Sequence, residues 1–494
     1  MKLTLETPTK LYIDDATPSE LKSLQEELTY TDTSVAFELK KFQHATWYAN
    51  KFGPEAYASR LAELQASQKV CLLSRDGSGR HYVNSGLLEA LKSKYGCTVT
   101  NKVVYPEPKN IPWAVVPDRT PYPYQIEARD RLLEAKHARV ELATGTGKSF
   151  CALLLVKALG LKTVIMTPSE SISEQLYDDF VLHFGKKYVG KFYKGKKEAG
   201  KLFVVGTGQS LTRVEVGTKE WEDLSKCEVF ITDESHTIAA QTFCHVALGV
   251  MANAPYRFNF SATQIRGDGS GKLLDSLTGH TVLELTVRQG VDGGYLAKPV
   301  FFMVPVQSHV DFESADPNEM TRKHFFYSPE VLKRAAAIAN QSVAVSGHSV
   351  LILIDEVAQF TELLPHLQHE VRFAHGPLAD NKSKVPEKYH DCDNKALVKA
   401  FNASEFPILI GTSCISTGTD FKSVKTMIYL RGGKSEVEVR QGVGRTTRIF
   451  KPLNKTSCNI IDFDVTNIRT VHAHALARKR IFEDIYGPVK MVKL

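Results

Sequence analysis

Ala143-Thr-Gly-Thr-Gly-Lys-Ser149 decides the reading of this chain. An apolar, β-leaning run from Val140 to Ala143 leads into it, and an apolar helix candidate, Phe150 to Leu159, follows. A strand, a glycine-bearing loop ending in Gly-Lys-Ser and a helix are the parts of a phosphate-binding loop. Its backbone N–H groups and the free N–H groups of the helix N-terminus converge on an anion. Thr144, Gly145, Thr146 and Gly147 would form the cradle, Lys148 would reach the β- and γ-phosphates, and the Ser149 hydroxyl would ligate Mg²⁺. The strict pattern has a glycine five residues before Gly147, where this chain has Leu142.

Downstream, apolar runs end again and again in polar or glycine residues. Thr163–Thr167 ends in Thr167-Pro-Ser169, Leu202–Gly206 in Gly206-Thr-Gly-Gln-Ser210, and Arg257–Phe260 in Ser261-Ala-Thr263. Such strand ends are where an open parallel sheet keeps its ligand loops. The run Glu228–Thr232 leads into Asp233-Glu234. Paired carboxylates there suit a second magnesium contact (Asp233) and a base that orients water (Glu234). Upstream, Tyr122-Pro-Tyr124-Gln125 precedes a helix expected over 126–136. A glutamine amide can donate to and accept from an adenine edge, and a nearby aromatic ring can stack on it.

The second half repeats the α/β alternation, with strands expected at 299–306, 350–354, 371–375, 408–411 and 426–430. The strand at 408–411 runs into Thr412-Ser-Cys-Ile-Ser-Thr-Gly418-Thr-Asp420. Gln441-Gly-Val-Gly-Arg445-Thr-Thr-Arg448 follows. Read as helix, it puts Arg445 and Arg448 on one face, where two guanidiniums could bridge a γ-phosphate. Gly433-Lys434-Ser435 also spells Gly-Lys-Ser, but Ile428, inside a strand, holds its first-glycine position, and it is not read as a second nucleotide loop.

With 494 residues the chain has room for several domains, and 43% hydrophobic and 24% charged residues are ordinary for a soluble globular protein. No apolar run approaches the roughly 18–20 residues that span a bilayer, and Lys10 and Asp14-Asp15 break up the start, so neither a membrane span nor a signal peptide is expected. The 8 cysteines form no Cys-x-x-Cys pair, which points away from a disulfide framework or zinc ribbon and towards a reducing cytoplasm. His472 and His474 fall on an expected helix, where residues two apart do not share a face. The net charge of +7 by itself identifies no partner.

Residues 1–110 read as a small α+β accessory domain, with strands at 3–5, 35–39 and 70–73 and helices at 18–28, 54–64 and 85–95. Two readings stand for it. Lys40, Lys41, Arg75 and Arg80 with Trp47 and Tyr48 suit nucleic acid; a plain solvated domain fits equally. A proline-rich linker follows (Pro106, Pro108, Pro112, Pro117, Pro121, Pro123). Two readings also stand for Gly185–Lys201, where seven lysines and Glu198 interleave with Tyr188, Phe192 and Tyr193. It is either a flexible loop that tracks a phosphate backbone or an exposed lysine-rich hairpin kept soluble by its charge.

In this order the motifs resemble those of superfamily 2 helicases and translocases over residues 120–465. Tyr124-Gln125 is similar to the adenine-reading Q-type motif, 143–149 to motif I, 167–169 to motif Ia, and 206–210 to motif Ib. Asp233-Glu-Ser-His236 resembles the DExH form of motif II, Ser261-Ala-Thr263 motif III, 412–420 motif V and 441–448 motif VI. Leu142 is a departure these helicases tolerate. Within the superfamily the chain is similar to phage helicases of the UvsW type in size, in its N-terminal segment, in its aromatic-Gln approach to motif I and in its Gly-Lys-Ser stretch before motif VI.

The resemblance implies an α/β fold with two RecA-like parallel-sheet domains in tandem, at 111–297 and 298–494, behind the accessory domain at 1–110. It implies an ATP- and Mg²⁺-dependent DNA helicase that remodels forks, migrates four-way junctions and moves 3′→5′. The nucleotide would meet Tyr124, Gln125, residues 144–149, Gly418, Asp420 and Gln441, with Ser149 and Asp233 on the metal. Lys148, Asp233, Glu234, Arg445 and Arg448 would be catalytic, the arginines acting as fingers from the second domain. Thr167, Ser169, Gly206, Thr207, Gln209 and Thr412 would grip the sugar-phosphate backbone without reading sequence. Ser261, Thr263 and His236 would couple the two activities. A monomer in the cytoplasm (the host's, for a phage protein) is the corresponding expectation. An RNA helicase, a duplex translocase that leaves strands paired, and an ATP-gated DNA-binding scaffold remain alternatives.

Overall fold

The computed structural model describes residues 1–111, 120–235, 240–262, 271–378, 381–415 and 421–492. His236, Thr263, Gly418 and Asp420 lie outside these residues, as do Pro112, Pro117 and the side chain of Gln441. The chain forms two compact units, residues 1–142 with 148–284, and residues 285–494 with 143–147.

The first unit begins with a mixed sheet. Its strands are β1 (Lys2–Leu5), β2 (Lys10–Asp14), β5 (Ser74–Arg75), β6 (His81–Asn84) and β7 (Thr98–Asn101), in the order β5-β6-β2-β1-β7, with β3 (Thr29–Thr31) and β4 (Lys69–Cys71) paired separately. Leu3, Leu11, Leu24 and Val83 are fully buried beneath it. Residues 35–39 are not a strand but part of a helix, Thr33–Phe42. Val35, Leu39 and Phe42 recur at helical spacing, and the helix packs on Pro54–Ser67.

The large sheet of this unit has the order β10-β11-β9-β12-β13-β8-β14. Its strands are β8 (His137–Leu142), β9 (Thr163–Thr167), β10 (Val189–Phe192), β11 (Phe203–Thr207), β12 (Val229–Asp233), β13 (Tyr256–Ser261) and β14 (Thr281–Leu285). β9 and β11 are buried at every position, the pattern of parallel strands covered on both faces. The lysine-rich segment is not a hairpin, since its ordered part is the edge strand β10, parallel to β11; apart from Lys191 its lysines lie in the turns on either side of that strand. Val189, Phe192 and Tyr193 are buried and draw it into the sheet, while Lys191 and Lys194 reach Glu174 at 2.5 and 3.5 Å.

The second unit carries another seven-stranded parallel sheet, in the order β17-β18-β16-β19-β20-β15-β21. Its strands are β15 (Lys298–Val306), β16 (Val350–Ile354), β17 (Val371–Ala374), β18 (Ile408–Gly411), β19 (Thr426–Leu430), β20 (Ser457–Val465) and β21 (Val489–Met491). Alternate residues of β16 serve different cores. Val350, Ile352 and Ile354 pack with the Pro329–Ser346 helix, whereas Leu351 and Leu353 pack with Phe401, Val439 and Phe482 from three helices on the other face. Arg478 and Asp462, each 2% exposed, form a bidentate pair within this layer (2.8 and 3.1 Å). No helix among the described residues is long and apolar enough to cross a membrane.

Candidate active site

Register alone brings the first unit's signals into a row. At the C-terminal edge Thr207 of β11 pairs with Thr167 of β9, and Thr232 of β12 pairs with Met166, which sets Asp233 beside Thr167. Asp233 in turn pairs with Phe260, next to Ser261 at the end of β13, and Ser261 pairs with Glu141 of β8. The loop after β8 therefore opens on the same edge as the carboxylates.

Gly145 and Gly147 take φ of 91° and 86°, left-handed values that glycine adopts without strain, and the Thr146 hydroxyl donates to Ala143 O at 2.7 Å. The helix starts at Lys148, so Ser149 lies in its first turn. Lys148 is 9% exposed, and its ammonium donates to Glu234 Oε1 at 2.9 Å and to Leu142 O at 3.3 Å. Leu142, the departure from the strict pattern, thus helps to hold the lysine with its carbonyl. Glu234 has φ of 50°, a value a non-glycine residue rarely takes, which turns its side chain off the strand towards the lysine. Its backbone N–H donates to Asp233 Oδ1 at 3.1 Å. Burial, then the charge of Glu234, push the Asp233 carboxyl well above the usual carboxylate range against the pull of Lys148.

Among the described residues the two carboxylates face the Lys148 ammonium, and a divalent cation is a charge that such a carboxylate pair suits. A hydroxyl (Ser149) and a carboxylate (Asp233) are oxygen donors of the kind Mg²⁺ takes, so the residues fit the ion. A glycine-turned loop, a helix N-terminus and an ammonium suit a polyphosphate.

Gln125 is fully buried, and its amide oxygen accepts from Tyr122 N–H at 3.0 Å, so part of this side chain caps its own helix (Pro123–Ala135). Tyr124 is buried and stacks on Tyr122, centroids 5.8 Å apart. All three threonines expected to grip a strand turn inward. Thr167 bonds Ser173 Oγ at 2.6 Å, Thr207 caps the Gly208–Leu211 turn, and Thr412 donates to Cys414 Sγ at 3.2 Å. Ser169 caps the Glu170–Phe184 helix, Gly206 is buried in β11, and Gln209 is exposed.

In the second unit the helix before the arginines runs Glu436–Gly444 and stops, so Arg445 and Arg448 do not share a helical face. Gly442 and Gly444 weaken the helix, and the Thr446 and Thr447 hydroxyls donate to Val443 O and Gly444 O, both at 2.8 Å, satisfying carbonyls at its end. Arg448 instead forms an antiparallel bridge with Leu296. The sequence reading missed Lys455, which is 1% exposed and donates to Thr446 O, Lys422 O and Phe421 O at 2.6, 3.1 and 3.4 Å. It ties the arginine segment to the strand-end loop after β18; a lone lysine between strands carries no sequence signal. His472 pairs with the buried Asp464 at 2.6 Å.

Residues 118–266 match the family model described as type III restriction enzyme, res subunit, and residues 335–450 match the helicase conserved C-terminal domain. A protein of Sulfolobus islandicus filamentous virus, named as helicase 22, is 22% identical over 65% of this chain. This chain spans 59% of that relative's length. The DNA 3'-5' translocase XPB2 of Sulfurisphaera tokodaii is 27% identical over 69% of this chain and 81% of its own. The solved structure of S. cerevisiae Dbp5 bound to RNA and ADP BeF3 shares the fold at TM-score 0.52 and 16% identity, covering 76% of this chain and 90% of that one. The two family matches take in more than half of the sequence, one on each seven-stranded sheet. On that evidence the chain belongs to the superfamily 2 helicases, its two parallel sheets forming their tandem of RecA-like cores.

Proposed function

We propose that this chain is an ATP-driven motor on DNA that unwinds or migrates forked and four-way-junction substrates. The observation that carries the ATPase part is the Lys148–Glu234 pair at 2.9 Å, with Asp233 beside it and the glycine-turned loop on the same sheet edge. Lys148 would bind the β- and γ-phosphates, and Glu234, released from it as the lysine turns to phosphate, would orient the attacking water. Ser149 and Asp233 would hold Mg²⁺, which when bound neutralises charge on the phosphate oxygens. Arg445 and Arg448 would stabilise charge on the transferred group, a role typically worth about 10³–10⁵ in rate. With Thr167, Thr207 and Thr412 turned inward, the strand would be met by Ser169, Gln209 and the backbone N–H groups those threonines arrange, a sequence-independent grip.

DNA as the track is supported by the name of the Sulfurisphaera tokodaii relative, and junctions by the motif layout that resembles UvsW-type helicases. A second reading, translocation along duplex without strand separation, is favoured by the match of residues 118–266 to a restriction-enzyme family. ATP-dependent processing of a synthetic four-way junction, beside a forked duplex and an RNA duplex, tests both, with Lys148→Ala as control. Resolution of the junction by wild type alone supports branch migration. DNA-stimulated hydrolysis with every substrate left intact would move the assignment to the duplex translocase, and turnover undiminished in Lys148→Ala would overturn the nucleotide site. Arg448→Ala is expected to lower turnover more than ATP affinity; equal losses in both would remove its finger role.

A further inference from the structure

Outside both cores, the accessory part carries three short helices, Thr33–Phe42, Thr46–Phe52 and Pro54–Ser67, with the first two packed on the third. Burial is lopsided. Leu39 and Leu64 face inward, whereas Phe37, Trp47 and Phe52 are 60%, 61% and 52% exposed. Trp47 and Phe52 belong to one continuous set of rings. Trp47 meets Tyr48 with centroids 5.6 Å apart, Tyr48 meets Phe52 at 4.7 Å and Phe42 at 5.0 Å, and Phe42 stacks on Tyr57 at 5.1 Å. Large exposed aromatics clustered on one small helical subdomain mark a surface that takes a partner.

Charge selects the partner. The carboxylates of Glu38 and Glu63 are both drawn onto Arg60 at 3.1 Å. The ammonium of Lys41 instead lies over the Phe37 ring at 4.5 Å and that of Lys51 over the Phe52 ring at 5.1 Å, with Lys40 on the same helix as Lys41. Cations set at the faces of exposed rings suit a ligand with flat π surfaces joined by anions. An apolar protein segment would strand those ammoniums, and a duplex offers no free base faces.

We propose that this aromatic and lysine platform is a second nucleic-acid site, one that stacks unpaired bases of a single strand on Trp47, Phe52 and Phe37 while Lys40, Lys41 and Lys51 meet its phosphates. The inference rests on the nucleic-acid motor reading and adds a strand grip outside both cores. The accessory part that carries these helices is tied to the first core. Lys272, on the helix Gly271–Thr278, donates to Glu27 O at 2.5 Å and Thr29 O at 3.3 Å, and Asn84 donates to Ser276 Oγ at 2.9 Å.

The test uses the full chain without ATP and reads the anisotropy of a labelled 15-mer oligo(dT), a 15-mer oligo(U) and a blunt duplex over a range of salt. Trp47→Ala is expected to weaken single-strand binding by roughly 5- to 150-fold, the contribution of one stacked base. The triple change of Lys40, Lys41 and Lys51 to Gln should flatten the salt dependence by about 2 in log–log slope. Duplex affinity and DNA-free ATP hydrolysis should stay as in wild type, which also reports that the variants are folded. Unchanged oligonucleotide affinity in Phe37→Ala/Trp47→Ala/Phe52→Ala would overturn the proposal, as would an equal loss on the duplex. Dimerisation of wild type that these changes abolish, with strand binding unaffected, would assign the surface to a second copy instead. Absence of any ATP hydrolysis would remove the motor reading while the oligonucleotide result stood by itself.

Discussion

Lys148 and Glu234 form one ion pair, yet their removal should not cost alike. With Lys148→Met, Asp233 and Glu234 are left side by side in a poorly solvated strand end without that ammonium. At about 3 Å and an effective dielectric of about 20, the lost attraction is roughly 5 kcal/mol. Releasing the ammonium from burial returns part of this, leaving a deficit of about 3 kcal/mol. Glu234→Gln removes the like charge that helps push Asp233 upward and leaves Lys148 with Leu142 O and an amide oxygen, so its cost should stay within about 1 kcal/mol. The sign with pH follows from Asp233, whose carboxyl is raised. Groups whose folded values are raised destabilise the fold only once ionised, so the Lys148→Met deficit should be full near pH 8 and shrink as pH falls towards 5. Urea denaturation of the nucleotide-free protein at both pH values reads this directly. Equal costs for the two variants, or a deficit that does not change with pH, would refute the electrostatic account.

Arg478→Met should destabilise the second unit by about 3–5 kcal/mol, because Asp462 is left buried and unpaired, and adding Asp462→Asn should recover part of it in the same assay. Burial pulls the Lys455 ammonium down to about 8, so the unfolded chain binds more protons above that value. Stability should therefore gain a component as pH rises from 8 to 10 that Lys455→Met lacks, read from melting temperatures of the two proteins. Gly86→Ala should cost about 1–3 kcal/mol, since the added methyl would press into Ser276 O, Asp275 O and Gly279 N, and calorimetry would show it.

The strand-end signals were legible because each pairs a local apolar run with a local polar stop, and the sheet places those stops in one row. Where side chains turn was not legible. Thr167 reads like a strand-end hydroxyl for a ligand, yet Ser173 six residues on takes it into the core. Arg445 and Arg448 show helical spacing, but the glycines and threonines around them end the helix first. β-branched Val35 suggested a strand where helix–helix packing prevails, and Tyr193, read as a surface ring, proved to be buried beside an edge strand. Arg139 had no signal at all, for its partners Asp275, Thr278 and Gly279 lie far along the chain.

The helix Gly271–Thr278 belongs to two interiors at once. Leu273 packs against the core of the large sheet and against that of the accessory sheet, and His137, at the start of β8, touches Ser85 from one and Leu277 from the other. Residues 1–110 are in that sense an outer wall of the first core rather than an appendage. A shortened chain beginning after them would open a raw surface on the side away from the strand-end loops. Weak hydrolysis by such a fragment would then measure an injured core, and the contribution of the accessory part to DNA work is better judged from single surface substitutions that leave the wall standing.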